Sequence, residues 1–406
     1  MARRLTATVT GGGVAGLSAA AALLQAGWRV TVLERAAEFG EVGAGLAITR
    51  NGMAALDALG VGEPVRAAGH PTFAAGTRDQ AGRWLLRLPD PGQDPSSVNH
   101  AWGVHRRRLH SALLAAADGA ELVTGASVVD VHPGSPDGRT ASVTWRDGAG
   151  EHTGTADLVV AADGIRSAVR ARLFPDRRPR YSGWTSWRAV IDDPGAADGG
   201  FTAFWGPEAE FGAVRLGDAQ VYWYGYVRQP AGTTFDDELG AALERFSGWP
   251  PQVRSTIAAT DPGRLLRHDV HHLPGGLPTY VHGRVLVIGD AAHAMLPTMG
   301  QGANTSLEDG LCVGRLVGAP ALAGAPLGAA LTAFDRARRP RCRRIARRSL
   351  LTARFGAHVR GGWPQTVRNA VLRALPPGPL VEAGTDVLRW TPPAGPTPPG
   401  AGPATG

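Results

Sequence analysis

VTGGGVAGLSAAAALLQAGWRVTVLER, residues Val9 to Arg35, is the stretch whose reading decides the fold. It reads as strand, glycine-rich turn, helix and second strand. Leu5 to Thr10 is a short β-prone run, and Gly11, Gly13 and Gly16 follow at G-x-G-x-x-G spacing. Val14 to Ala26 is an Ala/Leu-rich helix without proline, Gly27 suits its C-terminal stop, and Trp28 to Leu33 is a second apolar run ending at Glu34. Gly11 makes the tight turn, Gly13 lets the backbone approach a pyrophosphate, and Gly16 lets the helix pack on the strand. Val14 and Ala15 open the helix, whose free N–H groups and positive dipole end favour phosphate. Glu34 stands about 20 residues downstream, where an acid accepts from a ribose hydroxyl. A glycine-rich loop between core elements is the plainer alternative. The strand, helix, second strand and acid, all in register, argue for a dinucleotide site instead.

Outward from this unit, composition sets bounds. A chain of 406 residues holds two domains, or one large domain with an insertion. At 43% hydrophobic it is globular, and no apolar run reaches the roughly 20 residues that span a bilayer. The first apolar segment is the dinucleotide strand itself, not a signal peptide, and there are only 2 cysteines, Cys312 and Cys342. Together these predict a cytoplasmic protein without a disulfide framework or structural zinc. The net charge is +7, yet the sequence contains no lysine, which excludes a P-loop lysine and a Schiff-base lysine. No aromatic-interleaved basic module points to nucleic acid.

Later segments repeat the logic of the first. Phe39 to Arg50 reads as a glycine-punctuated loop at the ligand edge, and Asn51 as the cap of a short helix. Val104 to Ala117 reads as a helix with Arg106 to Arg108 at its start. Leu158 to Ala162 is a buried parallel strand that ends on Asp163-Gly164. From Tyr181 to Tyr226 the pattern shifts to short β runs between Gly/Pro/Asp turns, predicting an inserted, mostly antiparallel sheet. Tyr222, Tyr224 and Tyr226 share one face of a strand and Trp223 takes the other. Pocket lining and plain aromatic packing are both open for that face. Arg284 to Ile288 is another buried strand, ending Gly289-Asp290, and a glycine-rich loop leads into a helix from Thr305 to Val317 with Glu308 and Asp309 in its first turn. Leu331 to Arg348 is a basic helix containing Pro340, with a solvated arginine face expected; Ser349 to Ala374 continues helically, and Thr391 to Gly406 is a Pro/Gly tail expected to be disordered. His268, His271 and His272 have no carboxylate spaced to complete a metal site, and no metal is expected.

Three dispersed motifs coincide: Gly11 to Gly16 with Glu34; Asp163-Gly164; and Gly289-Asp290 followed by Gly300-Gln301-Gly302-Ala303-Asn304. With His105-Arg106, Tyr181 to Arg188 and Arg336 to Arg341, this resembles the single-component FAD-dependent aromatic hydroxylases, the class A flavoprotein monooxygenases of para-hydroxybenzoate and salicylate hydroxylase type. The resemblance runs from about Val9 to Arg348. It implies an α/β chain: a Rossmann-type FAD-binding domain with an inserted antiparallel substrate sheet and C-terminal helices. The corresponding divisions are 1–178 and 279–348 for FAD, 179–278 for substrate, 349–390 for the helices and 391–406 for the tail.

Residue by residue, the resemblance gives the pyrophosphate to Gly11, Gly13 and Gly16, the ribose to Glu34, and the adenine to Arg35 and Val128. It sets Gly45 and Leu46 near the ribityl chain and flavin, Arg106 on the cofactor, Asp163 on FAD and NAD(P)H, Asp290 on the ribityl chain, and Gly300 to Asn304 beside the isoalloxazine ring. NAD(P)H would dock transiently, since there is no second dinucleotide unit. Two departures stand out: Arg50-Asn51 replaces the family's Pro-Asn, and Glu210 stands near the position of a functional arginine in urate-type hydroxylases. The implied reaction is oxygenation of a small aromatic or polyene substrate by molecular oxygen through a flavin C4a-hydroperoxide. Tyr222, Tyr224 and Arg188 are the candidates for substrate orientation, and no catalytic base is identifiable. A reductase or oxidase on the same cofactor, or a non-catalytic flavin protein, are the alternatives.

Overall fold

A computed structural model describes residues 4–40, 44–92, 97–193, 200–374, 376 and 386–395. The chain opens with β1 (Thr6–Thr10), α1 (Val14–Gln25) and β2 (Arg29–Leu33). Next come β3 (Gly45–Thr49), α2 (Arg50–Ala58), α3 (Gly62–Ala67), β4 (His70–Asp79), β5 (Trp84–Arg87), β6 (His100–His105) and α4 (Arg106–Ala116). Then follow β7 (Glu121–Val123), β8 (Ser127–His132), β9 (Ala141–Asp147), β10 (Gly150–Ala156), β11 (Leu158–Ala161) and α5 (Ala168–Leu173). The antiparallel run is β12 (Arg180–Asp192), β13 (Phe201–Gly206), β14 (Ala209–Arg215) and β15 (Gln220–Arg228), followed by α6 (Glu238–Arg245), α7 (Pro251–Ala258) and β16 (Leu266–His272). The chain closes with β17 (Val281–His282), β18 (Val285–Val287), α8 (Asp290–His293), α9 (Gly302–Cys312), α10 (Ala319–Leu322), α11 (Leu327–Phe355) and α12 (Trp363–Ala374).

Two large sheets result. The first has the order β17-β18-β11-β1-β2-β7 and is parallel apart from β17. Strands β11 and β18 are continuous, fully buried apolar runs because both faces are covered. The Ala-rich α1 exists to be approached: a Cβ on Gly310 of α9 would collide with Ser18, so the two helices cross almost backbone to backbone. The second sheet runs β16-β12-β15-β14-β13-β4-β6-β3, with β5 paired to β4. It draws four strands from residues 45–105 as well as those of the inserted segment. One of its faces is a sealed aromatic core in which Trp187, Phe211 and Trp223 pack on Phe246, Val253 and Ile257 of α6 and α7 and their flank. The opposite face carries Tyr222, Tyr224 and Tyr226, as period-2 alternation requires.

Several local expectations change. The stretch read as a loop before Arg50 contains β3, paired antiparallel to β6. Asn51 does not cap α2, which begins at Arg50 with Thr49 before it. Residues 100–105 form β6, and the arginine-led helix starts only at Arg106. α9 begins three residues earlier than expected, at Gly302, and passes into a π-helical turn at Val313–Gly318. Glu308 and Asp309 are therefore interior to the helix and fully buried. The basic helix runs on to Phe355 and breaks before α12, rather than continuing through. Residues 391–395 of the expected disordered tail are placed, with the Pro393 carbonyl accepting from Arg315 Nη1 at 2.5 Å; residues 396–406 lie outside the described residues. No helix among the described residues is long and apolar enough to cross a membrane.

Candidate active site

At the C-terminal edge of the parallel sheet, β1 turns into α1 through Gly11, whose φ is +98°. A Cβ on Gly16 would collide with the Gly11 carbonyl, so the helix start is seated directly on the turn. A Cβ on Gly13 would meet nothing within 4 Å, so this side of the turn is open above the helix N-terminus formed by Val14 and Ala15. The Glu34 carboxylate shapes the same turn, accepting from the Gly12 N–H at 2.7 Å and the Ala36 N–H at 2.9 Å. Arg35 beside it is exposed. The Ala126 N–H donates to the Glu34 carbonyl at 2.8 Å, which brings the start of β8, with Val128, alongside. His110 Nε2 bonds the Gly12 carbonyl at 2.8 Å. Nothing in the sequence flagged His110, because its partner lies 98 residues away.

Asp163 and Asp290 end neighbouring strands, β11 and β18. Burial pushes the Asp163 carboxyl up; Oδ2 accepts from the Val169 N–H at 3.2 Å while Oδ1 has no partner among the described residues. Asp290 is exposed at the start of α8. The buried Arg170 joins the two turns, donating to the Ala291 carbonyl at 3.1 Å and to the Ile165 carbonyl. The orphaned carboxylate oxygen and the open, donor-rich helix start fit the phosphate and hydroxyl groups of a flavin dinucleotide. Gly11, Gly13, Val14, Ala15, Gly16, Glu34, Asp163 and Asp290 would hold it.

The loop before α9 offers a second open helix start. Gly300 has φ +61°, and a Cβ on Gly300 or Gly302 would meet nothing within 4 Å. Ala303 follows in the first turn, half-buried. The side chains of Gln301 and Asn304 turn the other way. Asn304 Oδ1 accepts from the Thr49 N–H at 3.0 Å, and its Nδ2 donates to the carbonyls of Ala47 and Gly300 at 3.1 and 2.9 Å. Gln301 donates to Thr49 Oγ1 at 3.1 Å and accepts from Asn51 Nδ2 at 3.1 Å. Both side chains stitch β3 to α9, leaving the backbone N–H groups and the two glycines as the open surface.

Beneath the loop lies a buried ionic network that takes Arg338 and Arg341 out of the solvated arginine face expected from the sequence, while Arg336, Arg344 and Arg347 of the same helix are exposed. Arg338 is 1% exposed and donates to Asp309 at 2.7 Å and Glu308 at 2.6 Å. Arg341 forks onto Glu308 at 2.7 Å through both Nε and Nη2, and Asn51 Nδ2 reaches Glu308 at 2.6 Å. Asp309 in turn accepts from the Gly289 N–H at 3.0 Å and meets His293 Nε2 at 2.6 Å. Burial opposes the Asp309 charge, but Arg338 and His293 hold its carboxyl below the usual range. His293 is thus a hydrogen-bonded positioning residue for the Gly289-Asp290 turn. The arginine pattern is one of pairing at long range, which charge counting along a helix does not reveal.

Strand β3 packs against the tyrosine face of β15. A Cβ on Gly45 would collide with the Tyr222 side chain, so glycine here sets how closely the two units approach. Leu46 follows on the same strand, half-buried, and Arg106 follows the β6 strand paired with it. Burial raises the Tyr222 hydroxyl, and the nearby Arg188 and Arg106 pull it back down. Arg188 on β12 stands opposite Tyr224 on β15, and His268 lies beyond it, its imidazole lowered by burial and by Arg188.

Glu210, noted in the sequence only as a departure, is buried against the tyrosine face. It is 3% exposed, accepts from Tyr224 Oη at 2.6 Å and from Trp205 Nε1 at 3.0 Å, and burial pushes its carboxyl up to about 7 against those two hydrogen bonds. Burial and Glu210 together drive the Tyr224 phenol well above its ordinary range. The available signal was an acid on the inward alternation of a strand, Ala209 to Arg215, otherwise free of acids.

A family model described as an FAD binding domain matches residues 4–349. The chain is 37% identical over 314 residues to the aurachin C monooxygenase/isomerase of Stigmatella aurantiaca, covering 77% of this chain and 80% of that protein. It is 30% identical over 383 residues to the 2-heptyl-3-hydroxy-4(1H)-quinolone synthase of Pseudomonas aeruginosa, covering 92% and 94%. Klebsiella pneumoniae HpxO, solved with FAD and uric acid, superposes with a TM-score of 0.81 at 25% identity, over 95% of this chain and 96% of that one. The reach of the family model across both sheets, together with relatives named as monooxygenases and hydroxylases, makes this chain a member of the FAD-dependent aromatic hydroxylase family, an FAD-dependent monooxygenase.

Proposed function

We propose that the enzyme uses NAD(P)H and molecular oxygen to hydroxylate a small, mostly apolar aromatic ring that carries an N–H or O–H donor conjugated to a carbonyl, as in a 4-quinolone. The substrate chamber is placed at the tyrosine face, and the supporting observation is the polarity of that face: a buried acid, Glu210, reached through Tyr224 on one side, and the Arg188–Tyr222 pair on the other. Bound FAD supplies the activation of oxygen. The balance is substrate C–H plus O2, NAD(P)H and a proton, giving substrate C–OH, water and NAD(P)+.

The chain's own groups have separable tasks. With FAD bound, the N–H groups opening α9 would supply hydrogen-bond donors to the flavin ring. Arg188 and Tyr222 donate toward the substrate carbonyl. Tyr224 Oη already donates to Glu210, so its remaining lone pairs are free to accept the substrate's N–H or O–H proton as its own passes to Glu210. Withdrawing that proton enriches the ring just where an electrophilic oxygen attacks, and a group titrating near neutrality suits the task.

The 2-heptyl-3-hydroxy-4(1H)-quinolone named for the Pseudomonas relative has this donor–carbonyl pattern. A second substrate type, a hydroxybenzoate, would instead engage Arg188 through its carboxylate, as the name of another relative suggests. The test is a screen of 4-quinolones, phenols, hydroxybenzoates and urate for stimulated NADH or NADPH oxidation, with labelled oxygen traced into product. Quinolone turnover with one labelled atom retained supports the proposal; turnover of a phenol without the conjugated carbonyl, and not of a quinolone, counts against it. Turnover of hydroxybenzoate or urate alone would overturn it.

A further inference from the structure

The last helix is inside out. In α12, Trp363, Val367 and Val371 fall on one stripe at helical spacing and are 78%, 52% and 51% exposed. The opposite stripe, packed on the protein, buries Arg368 and Asn369. Arg368 Nη1 donates to the carbonyls of Phe355 and Gly356 at 3.2 and 3.0 Å, and its guanidinium lies 5.6 Å from the Trp205 ring. The final turns of α11 continue the outer surface: Leu351 and Phe355 are 51% and 66% exposed, with Arg347 and Arg354 on the same outward side. Neither of these arginines has an acidic partner among the described residues, whereas Arg344 and Arg348 share Asp386 and Arg360 faces Glu208. Large exposed apolar side chains elsewhere stand singly in sequence, at Leu122, Val129, Phe235 and Leu322. A helix turns its apolar stripe outward at a cost unless something apolar covers it.

We propose that the outer face of α12 and the end of α11 is a docking surface for an anionic lipid bilayer. Charge decides the occupant. The face carries unpaired arginines among tryptophan, phenylalanine, leucine and valine, the composition of an element lying in the headgroup plane of an anionic membrane. The aliphatic stems of Arg347 and Arg354 can lie along the apolar surface while their guanidinium groups reach lipid phosphates. A second copy of the chain would bring the same basic patch onto itself, opposing like charges. The protein would rest on the bilayer without spanning it, consistent with the absence of any sufficiently long apolar helix among the described residues. On its inner side the same segment, through Ala353 and Ala357, packs on Trp184 and Tyr226 at one end of the tyrosine face. Docking does not depend on the identity of the substrate.

The experiment is flotation of the full-length, FAD-loaded protein with vesicles of pure phosphatidylglycerol and of pure phosphatidylcholine. Binding to the first, and at least about tenfold weaker binding to the second, is expected from the attraction of two unpaired cations to an anionic surface. The double variants Arg347→Glu/Arg354→Glu and Phe355→Ser/Trp363→Ser should each lower phosphatidylglycerol binding by roughly tenfold or more while FAD content and Tm stay unchanged. Failure to float with phosphatidylglycerol, or binding that neither double variant weakens, would overturn the proposal. So would a dimer in solution that Phe355→Ser/Trp363→Ser dissociates while the unmodified protein ignores vesicles, which would give the face to a second copy.

Discussion

At the dinucleotide end, Gly11, Gly13, Gly16 and Glu34 lie within one strand–helix–strand unit and offer mainly backbone. At the chamber end, Arg188, Glu210, Tyr222 and Tyr224 come from three strands and offer side chains. The first kind of site is written in consecutive spacing, because a turn that must pass a phosphate admits few residues. The second is assembled by strand pairing, so its members are adjacent only after folding. Their chemistry is also set by burial, which gives Glu210 a carboxyl titrating near neutrality.

The two ends should therefore fail differently. The largest effect is expected beneath both, at the ionic network that fixes the Gly289 turn. Arg338→Met removes the one cation that bridges Glu308 and Asp309, leaving Glu308 to Arg341 and Asn51 and Asp309 to His293, and should cost about 3–5 kcal/mol, read as a fall in the denaturation midpoint at unchanged slope. Next comes the chamber. Glu210→Gln should lower kcat by about 100-fold with FAD still bound at full stoichiometry, and should remove the inflection near neutral pH from the rate profile. An unchanged profile would leave Glu210 with packing duties only.

Gly16→Ala comes third. Its new Cβ collides with the Gly11 carbonyl, so overpacking of about 1–3 kcal/mol is expected in the apoprotein. Gly13→Ala meets no protein atom, so apoprotein stability should hold while FAD affinity drops by roughly tenfold, about 1.4 kcal/mol. Equal Tm losses for these two variants would erase the distinction between a packing glycine and a ligand-approach glycine.

The smallest effect is one of pH. The Glu210 carboxyl is raised from 4.5 to about 7 in the folded chain. The folded state accordingly holds a proton that the unfolded state has released between those values. The stabilisation is complete below the lower value and is lost as pH rises through about 7. The wild type should therefore lose Tm relative to Glu210→Gln across that window, a trend that thermal scans in a buffer series can check.

The parallel sheet, its first glycine turn and the alternation of Tyr222, Tyr224 and Tyr226 could all be read from the sequence because each rests on local periodicity. What escaped was long-range. β3 reads as loop in the sequence because its partner β6 lies more than fifty residues on. Gln301 and Asn304 were assigned to the cofactor as a block, yet their side chains are spent on Thr49, Ala47 and Asn51. The arginines of α11 looked solvated because the acids that bury Arg338 sit in α9, some 30 residues earlier. The early start of α9 moved Glu308 and Asp309 from a solvent-facing first turn into that network.

Strand β15 divides its labour by parity. Tyr222 and Tyr224 lie on the face of the proposed chamber and Tyr226 packs on Trp184 and Ala353 at its end, while Trp223 at the odd position between the first two belongs to the aromatic core closed by α6 and α7. A designer could therefore rewrite Tyr222 to admit a new ring shape while leaving the aromatic core to its odd-numbered neighbour, whereas a change at Tyr224 would also take a hydrogen bond from the buried Glu210.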